Sequence, residues 1–503
     1  MTKDQYILSP SGRTLKEYLW QQVVDRRLAS PLGLALLLLC VLPLAWLFSV
    51  SHLGVGFVVV ALSIGLPLVL FALFNPAINL GLMLTSAIMV TFLLRYVNAP
   101  LGLLNDGLIL VGLVSLLLGQ FRERDGRFMQ NSLSYMILIW LFYNGLMVLN
   151  PEALSRLSWL FTVRTVALQL LVFFIGAYAL RNNKQALYYL LYFIFAICFV
   201  CAAYGVKQHY WGLTPGEMAW IMSDSNRAQL YIQWNLVRVP SLCYDPTTFG
   251  NLMAFFAVMC GILMAATRSW LAKGLFLVMI VTAIMGMSFS GTRTSVVIIP
   301  LGLLFYMLLT LNRKVLIAGG IMLMLGGVLM VKSTTNGVIY RLQSAFKPED
   351  DSMQVRLKNQ ARIQPFIRSH PIGAGLGSCG AWGGRFAPGS WLSTFNHDSS
   401  FVRMAVELGW IGLILYTLMH FVAIRTGIYY YHRCRDPWIK ATYAAIATAC
   451  YMLAVACYSQ EAILQQPINT IYNIFLAMLV TLKNFDPAFA APASNNPLPN
   501  TKN

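Results

Sequence analysis

Four basic side chains in the second half of the chain stand where they could grip a phosphate or move a proton. Arg293 lies in Ser290-Gly291-Thr292-Arg293-Thr294, a polar hairpin between two apolar runs. It reads either as an arginine reaching for lipid headgroups or as a fixed cation facing a phosphate at the membrane surface. Arginines kept near a bilayer and turned to a protein interior are costly and tend to be functional. Arg238 precedes Pro240-Ser241-Leu242-Cys243-Tyr244-Asp245-Pro246 and has the same two readings, loop residue or further phosphate ligand. Arg356 comes after Asp351 and Ser352, either of which can cap a helix running to about Ile363, with Pro365 disrupting the next turn. Lys358 and Arg362, four apart, share one face of that helix, which is either solvated or part of an anion grip. His397 sits with Asp398 at the start of an apolar run, where a lone histidine can be purely structural. The positive end of a helix dipole disfavours imidazolium there, leaving a neutral ring able to accept a proton, with Asp398 opposing that effect or orienting the ring. Glu407, inside the same run, is an ionisable group that needs a cationic partner.

The elements that must position these groups are membrane spans. Hydrophobic stretches near 31–50, 53–74, 77–94, 101–119, 132–149, 165–180, 185–206, 247–266, 272–289, 294–311, 315–331, 400–424, 441–458 and 467–482 are fourteen candidate spans. With the amino terminus inside, the short basic clusters Arg26–Arg27, Arg122–Arg127, Arg181–Lys184, Arg268–Lys273, Arg313–Lys314 and Arg425–Lys440 all fall in inner loops, as the positive-inside rule requires. The expected organisation is an all-α polytopic integral membrane protein of about 14 transmembrane helices. Residues 1–30 form an inner amino-terminal segment containing a short surface helix over 14–30. Residues 31–331 hold spans 1–11 with an outer loop at 207–246, residues 332–399 a large outer loop and residues 400–484 spans 12–14, and residues 485–503 are a disordered inner tail. Residues 332–403 carry nine Lys or Arg against Glu349, Asp350, Asp351 and Asp398, an excess of cations on the side where they are usually scarce.

Composition excludes several classes. The chain of 503 residues is 58% hydrophobic and 11% charged, too apolar for a soluble protein. Its net charge of +18 is partly topological, and no recognition motif or basic soluble domain accompanies it, which excludes a nucleic-acid partner. Residues 1–30 are polar and basic, so no cleavable signal peptide is expected. The nine Cys mostly lie in apolar runs. Only Cys243 and Cys379 fall in outer loops, and sequence does not fix whether they come close enough to bridge. The six His form no metal spacing, and the turn His370-Pro371-Ile372-Gly373-Ala374-Gly375-Leu376-Gly377 lacks the Lys-Ser/Thr of a nucleotide-binding loop, so neither metal nor cofactor is expected. The aromatics of loop 207–245 form either an interface belt or a platform for sugar faces or a polyprenyl chain.

At these residues the sequence resembles the O-antigen ligase and polymerase superfamily of bacterial envelope glycosyltransferases. Tyr244-Asp245-Pro246 to Gly250 is similar to that family's D/N-P-x-x-F-G at the start of a span, and Ser290-Gly291-Thr292-Arg293 to its Ser-Gly-Ser-Arg hairpin. Arg356 followed by His370 to Gly377 resembles its Arg and His-Pro-Gly-Gly-Gly stretch, and His397 followed by Glu407-Leu408-Gly409-Trp410-Ile411-Gly412 its H-N to E-G-G stretch. Asp398 stands where Asn is usual, the aromatic residue expected soon after Arg356 is not evident, and fourteen spans exceed the number common in the ligases.

The resemblance implies a reaction at the periplasmic face of the bacterial inner membrane. A glycan passes from undecaprenyl pyrophosphate to a sugar hydroxyl on another lipid-linked glycan or on lipid A core. In those roles Arg293 and Arg356 hold the pyrophosphate and His397 is the base; beside them the residues themselves suggest Arg238 as a further phosphate ligand and Arg362, Asp398 and Glu407 as supporting groups. A polyprenyl pyrophosphate is already a good leaving group, so the chief need is to stabilise its growing charge, which guanidinium groups do with a fork of donors. The expectation is a metal-independent polymerase of O-antigen or exopolysaccharide, with a chain-length regulator as a further partner. The alternatives are an O-antigen ligase and, from another class, a transporter or flippase for an anionic lipid-linked glycan. A transporter predicts ionisable groups deep in several spans and inverted repeats.

Overall fold

The computed structural model describes residues 65, 67–97, 100–233, 236–331, 343, 351–395 and 397–489, without the side chains of 329–331, 351–353, 355 and 356. The chain divides into two units, 1–71 and 72–503, and the second holds the helical bundle and its cavities. The surface helix expected at 14–30, the first two candidate spans (apart from the end of the second), the acidic cluster at 349–350 and the tail from 490 lie outside the described residues.

The second unit is almost wholly helical. Ten helical stretches among the described residues are long and apolar enough to cross a membrane. In chain order the helices are α1 (Pro76–Leu93), α2 (Gly102–Glu123), α3 (Ser132–Leu146), α4 (Arg156–Val166), α5 (Leu171–Leu180), α6 (Lys184–Trp211), α7 (Pro215–Met222) and α8 (Ser225–Tyr231). Then come α9 (Pro246–Ala266), α10 (Trp270–Ser290), α11 (Arg293–Thr310), α12 (Arg313–Val331), α13 (Asp351–Ser369), α14 (Gly380–Phe386), α15 (Ser400–Arg433), α16 (Pro437–Ala456) and α17 (Ile468–Thr481). Two-residue strands β1 (Ile232–Gln233) and β2 (Leu236–Val237) pair antiparallel between α8 and α9, with Ile232 opposite Val237. The chain is thus an all-α polytopic membrane protein.

At the centre α9 packs against α10, α11 and α16, while α17 packs against α5. Every residue of α17 is buried. A helix apolar on all sides belongs inside a bundle, and at 1.5 Å per residue its 14 residues reach only about 21 Å, short of a hydrocarbon core of about 30 Å. The expected span at 467–482 is therefore an interior helix.

The loop expected at 207–246 folds into α7, α8 and the β1–β2 hairpin, and a sealed polar cluster ties it down. Arg95 Nη1 pairs with Glu217 Oε1 at 3.0 Å, both side chains 1% exposed. The same carboxyl oxygen accepts from Gln208 Nε2 at 2.7 Å and from Tyr204 OH at 3.2 Å. Arg95 Nη2 also donates to the Cys243 carbonyl, fixing the chain just before α9. Cys243 and Cys379 are both buried free thiols.

Two sequence motifs meet in a backbone interlock. Within α15 the chain breaks from helical geometry at Gly409, at φ 68° and ψ −163°. Trp410 N then donates to Pro371 O at 2.9 Å, and Ala374 N donates to Val406 O at 2.8 Å. The Leu408 carbonyl, at the break, accepts from Tyr143 OH at 2.6 Å. A β-carbon at Gly409 would stand 2.0 Å from Pro371 O, and one at Gly373 2.5 Å from Gly409 N. Only glycine allows this approach, and at Gly409 only glycine takes the φ freely. Helix α13 continues through Pro365 to Ser369 rather than ending before it, because Ile363 and Ile367 on either side are buried in one apolar cluster with Leu392, Phe395 and Val406.

Candidate functional site

Asp245, Thr247, Thr248 and Asn251, at the start of α9, line one wall of a cavity of about 520 Å³. Asp245 caps α9, its Oδ1 accepting from the backbone of Thr247 at 2.8 Å and of Thr248 at 2.9 Å, and Pro246 needs no amide partner in the first turn. Gly250 lets the α10–α11 hairpin close in, since a β-carbon there would lie 2.4 Å from Ser290 Oγ and 2.7 Å from Ser295 Oγ. The hairpin is pinned by Thr292 Oγ1 donating to Pro246 O at 3.0 Å and by Ser295 Oγ donating to Asn251 Oδ1 at 3.0 Å. Asn251 Nδ2 donates to Gln460 Oε1 at 2.6 Å, and Gln460 Nε2 donates to Thr294 Oγ1 at 2.8 Å. This lattice brackets Arg293, between Thr292 and Thr294, and joins it to the 457–467 loop.

Arg238, Arg293, His397 and Asp398, far apart in sequence, all line the cavity. Arg238 is 6% exposed. Its Nε donates to Ser290 O at 3.0 Å, Nη1 to Leu230 O at 3.2 Å, and Nη2 to Thr292 Oγ1 at 3.2 Å and Thr247 Oγ1 at 3.4 Å. All four acceptors are neutral. Burial brings this guanidinium down to about 10, with Asp245 opposing the fall and Arg293 adding to it.

His397 meets a carboxylate that sequence reading missed. Its Nε2 lies 3.1 Å from Glu461 Oε1, at an angle poor for a full hydrogen bond. Glu461 is held in turn by Arg403, whose Nη1 lies 3.0 Å from both carboxyl oxygens. Arg403 Nε also reaches Glu407 Oε2 at 3.3 Å, so the cationic partner expected for Glu407 is Arg403. Burial pushes the Glu461 carboxyl up, but Arg403 and His397 outweigh it and hold the group at about 2. Glu461 is thus a carboxylate at neutral pH.

Of the remaining expected site residues, Arg362 and Glu407 lie outside this cavity. Arg362 is exposed on α13, its guanidinium 5.5 Å from the centre of the Trp391 ring, and is not among the cavity residues. Glu407 is fully buried behind Arg403 and does not line the cavity either. Arg356 falls in α13, with its side chain outside the described residues. Among the described residues, no group of three or more His, Cys, Asp and Glu is placed to hold a metal ion.

The polytopic helical bundle thus brings two arginines, and a histidine backed by a carboxylate, to one cavity. Residues 277–417 match the family model for O-antigen ligase, and this match supports the resemblance to the O-antigen ligase and polymerase superfamily. The match contains Arg293, Arg356, His397, Arg403 and Glu407, whereas Arg238 and Glu461 lie on either side of it. No curated protein matches the chain.

Proposed function

We propose that the chain transfers a glycan from undecaprenyl pyrophosphate to a sugar hydroxyl at the periplasmic face of the inner membrane, as an O-antigen or exopolysaccharide polymerase. The observation that carries this reading is the shared cavity of Arg238, Arg293 and His397, with Glu461 behind the histidine. The diphosphate lies against Arg238 and Arg293, joined by Arg356 on the strength of the family resemblance. If Nε2 of His397 carries the proton that faces Glu461, Nδ1 is the nitrogen left to accept one. The acceptor hydroxyl gives its proton to Nδ1 as its oxygen bonds the anomeric carbon. The bond from that carbon to the phosphate oxygen breaks, and the diphosphate leaves with the charge that the guanidiniums stabilise. Glu461, fixed by Arg403, steadies the imidazolium, as the buried acid does in a hydrolase triad. A well-placed base contributes roughly 10²–10⁴-fold, and one positioned donor about 2.7–4 kcal/mol.

The preference for a polymerase rests on departures from the ligase pattern, Asp398 where Asn is usual and no aromatic residue soon after Arg356, since the expected count of fourteen spans loses the one at 467–482. The second reading is a ligase that delivers the glycan to lipid A core, and the domain match is compatible with both. Glycan profiling of a deletion strain separates them. Single repeats on core indicate a missing polymerase, free polymer with bare core a missing ligase, and an unchanged profile would overturn both. Because guanidinium groups supply the positive charge in this reading, chelator should leave purified activity intact. Strong inhibition reversed by a divalent metal would contradict it.

A further inference from the structure

Beside the arginine cavity lies a second one of about 250 Å³, and Gln465 borders both. We infer that this second cavity is a subsite for a sugar ring, an inference that rests on the glycan-transfer reading. Its lining includes the polar groups of Asp106 at the start of α2, Arg164 and Gln169 at and just beyond the end of α4, and Gln465 and Gln466 in the loop before α17, among apolar neighbours such as Val90, Leu94 and Leu464. Arg164 Nη1 pairs with Asp106 Oδ2 at 3.1 Å, yet the two side chains remain 29% and 26% exposed. An ion pair on two apolar spanning helices is expensive unless it faces protein interior or a wet cavity, and both residues border this one. Gln466 Nε2 donates to Gln169 Oε1 at 3.3 Å, which fixes two carboxamides side by side. Planar carboxylate, guanidinium and carboxamide groups carry paired donors and acceptors, the pattern that neighbouring hydroxyls of a pyranose match. Tyr244, 43% exposed, also lines the cavity and offers an aromatic face for the apolar side of such a ring.

The volume equals that of roughly eight waters at about 30 Å³ each, enough for a monosaccharide and too little for a long polyprenyl chain. The placement also fits the chemistry. A diphosphate against Arg238 and Arg293 carries the anomeric carbon of its first sugar one oxygen away from phosphorus, and the acceptor alcohol must reach that same carbon. The ring in the subsite therefore belongs to the donor glycan or to the acceptor glycan, and both present the same hydroxyls.

The test uses full-length protein in nanodiscs, undecaprenyl diphosphate carrying one complete repeat as donor, and a lipid-linked glycan as acceptor. Asp106→Asn keeps the shape and removes the charge, and Gln465→Ala removes a side chain that makes no hydrogen bond among the described residues. Both variants should raise one KM about tenfold with kcat little changed and thermal unfolding within a few degrees of the parent. A rise confined to the donor KM places the donor's sugar in the subsite, and a rise confined to the acceptor KM places the acceptor's. Should Asp106→Asn fail to fold, Gln465→Ala alone decides. Unchanged KM values for both substrates, with the parent protein active, would overturn the subsite and leave the transferase reading standing. A parent protein that transfers no lipid-linked glycan would overturn both.

Discussion

Arg95 and Arg238 are both buried arginines at the ends of spanning segments, and they are held in opposite ways. Arg95 meets Glu217 at 3.0 Å in a pocket where each side chain is 1% exposed, and the carboxylate is further satisfied by Gln208 and Tyr204. Its charge is cancelled on contact, and the pair fastens the outer loop to the bundle. Arg238 donates only to neutral oxygens and stands against a cavity of about 520 Å³. A folded protein gains little from a buried cation that it does not neutralise. The difference separates an arginine neutralised on contact from one that shares its protons among neutral oxygens beside a cavity, which is what the proposed phosphate role needs.

The comparison can be broken first by exchange of charge. Arg238→Lys, Arg293→Lys and His397→Ala should each cost roughly 10²–10³-fold in turnover of a lipid-linked donor, with the protein still reaching the membrane. Wild-type rates in both lysine variants would reduce the arginines to generic electrostatics. The next test is stability. Arg95→Met leaves Glu217 buried and unpaired, and should lose about 3–5 kcal/mol or fail to fold. Arg238→Met should unfold, by thermal shift in detergent, no earlier than the parent. The folded value of Arg238, about 10, lies below the ordinary 12.5, so the folded protein holds that proton less tightly than the unfolded chain, and below pH 10 the charge counts against folding. Equal destabilisation by the two methionine variants would erase the distinction.

Smaller effects sharpen the same contrast. Gly409→Ala would drive a β-carbon into Pro371 O and strain a positive φ, so unfolding should come earlier by at least about 1–3 kcal/mol. Glu461→Gln should lower kcat by roughly ten- to a hundredfold, with KM little changed and the pH–rate profile of the histidine displaced. The Glu461 carboxyl sits at about 2 against an ordinary 4.5, so its contribution to stability is complete above pH 4.5 and fades as pH falls towards 2. An acid titration of unfolding should therefore be steeper for the parent than for Glu461→Gln in that window, and coincident curves would place the carboxylate outside the network. Arg362→Ala should stay within about twofold of parental turnover, because that guanidinium is exposed beside Trp391.

The bundle was legible because a run of about twenty apolar residues has few other uses, and ten such runs are helices among the described residues. Arg238, Arg293, His397 and Asp398 were legible as polar residues at the ends of apolar runs, and they line one cavity. Glu461 was missed although it left a trace, as an acid in the polar stretch Ser459-Gln460-Glu461 between two apolar spans. Nothing local links it to His397: the two segments are far apart in sequence and are joined by Ser399 and Ser400, which donate to the carbonyls of Cys457 and Gln460. Arg403 was counted with the basic outer loop because its place in the first turn of α15, between two carboxylates, is set by packing rather than composition. Arg362 shows the reverse error, since helical spacing marks which residues share a face and not where that face points.

The loop that carries Gln460, Glu461 and Gln465 runs directly into α17, whose residues are buried along its whole length. A segment that never meets lipid has no hydrophobic thickness to match, so stretching or thinning the bilayer has no direct purchase on it. The wall shared by the two cavities is thereby moored to the protein's interior. Its position is set by packing within the protein rather than by contact with acyl chains.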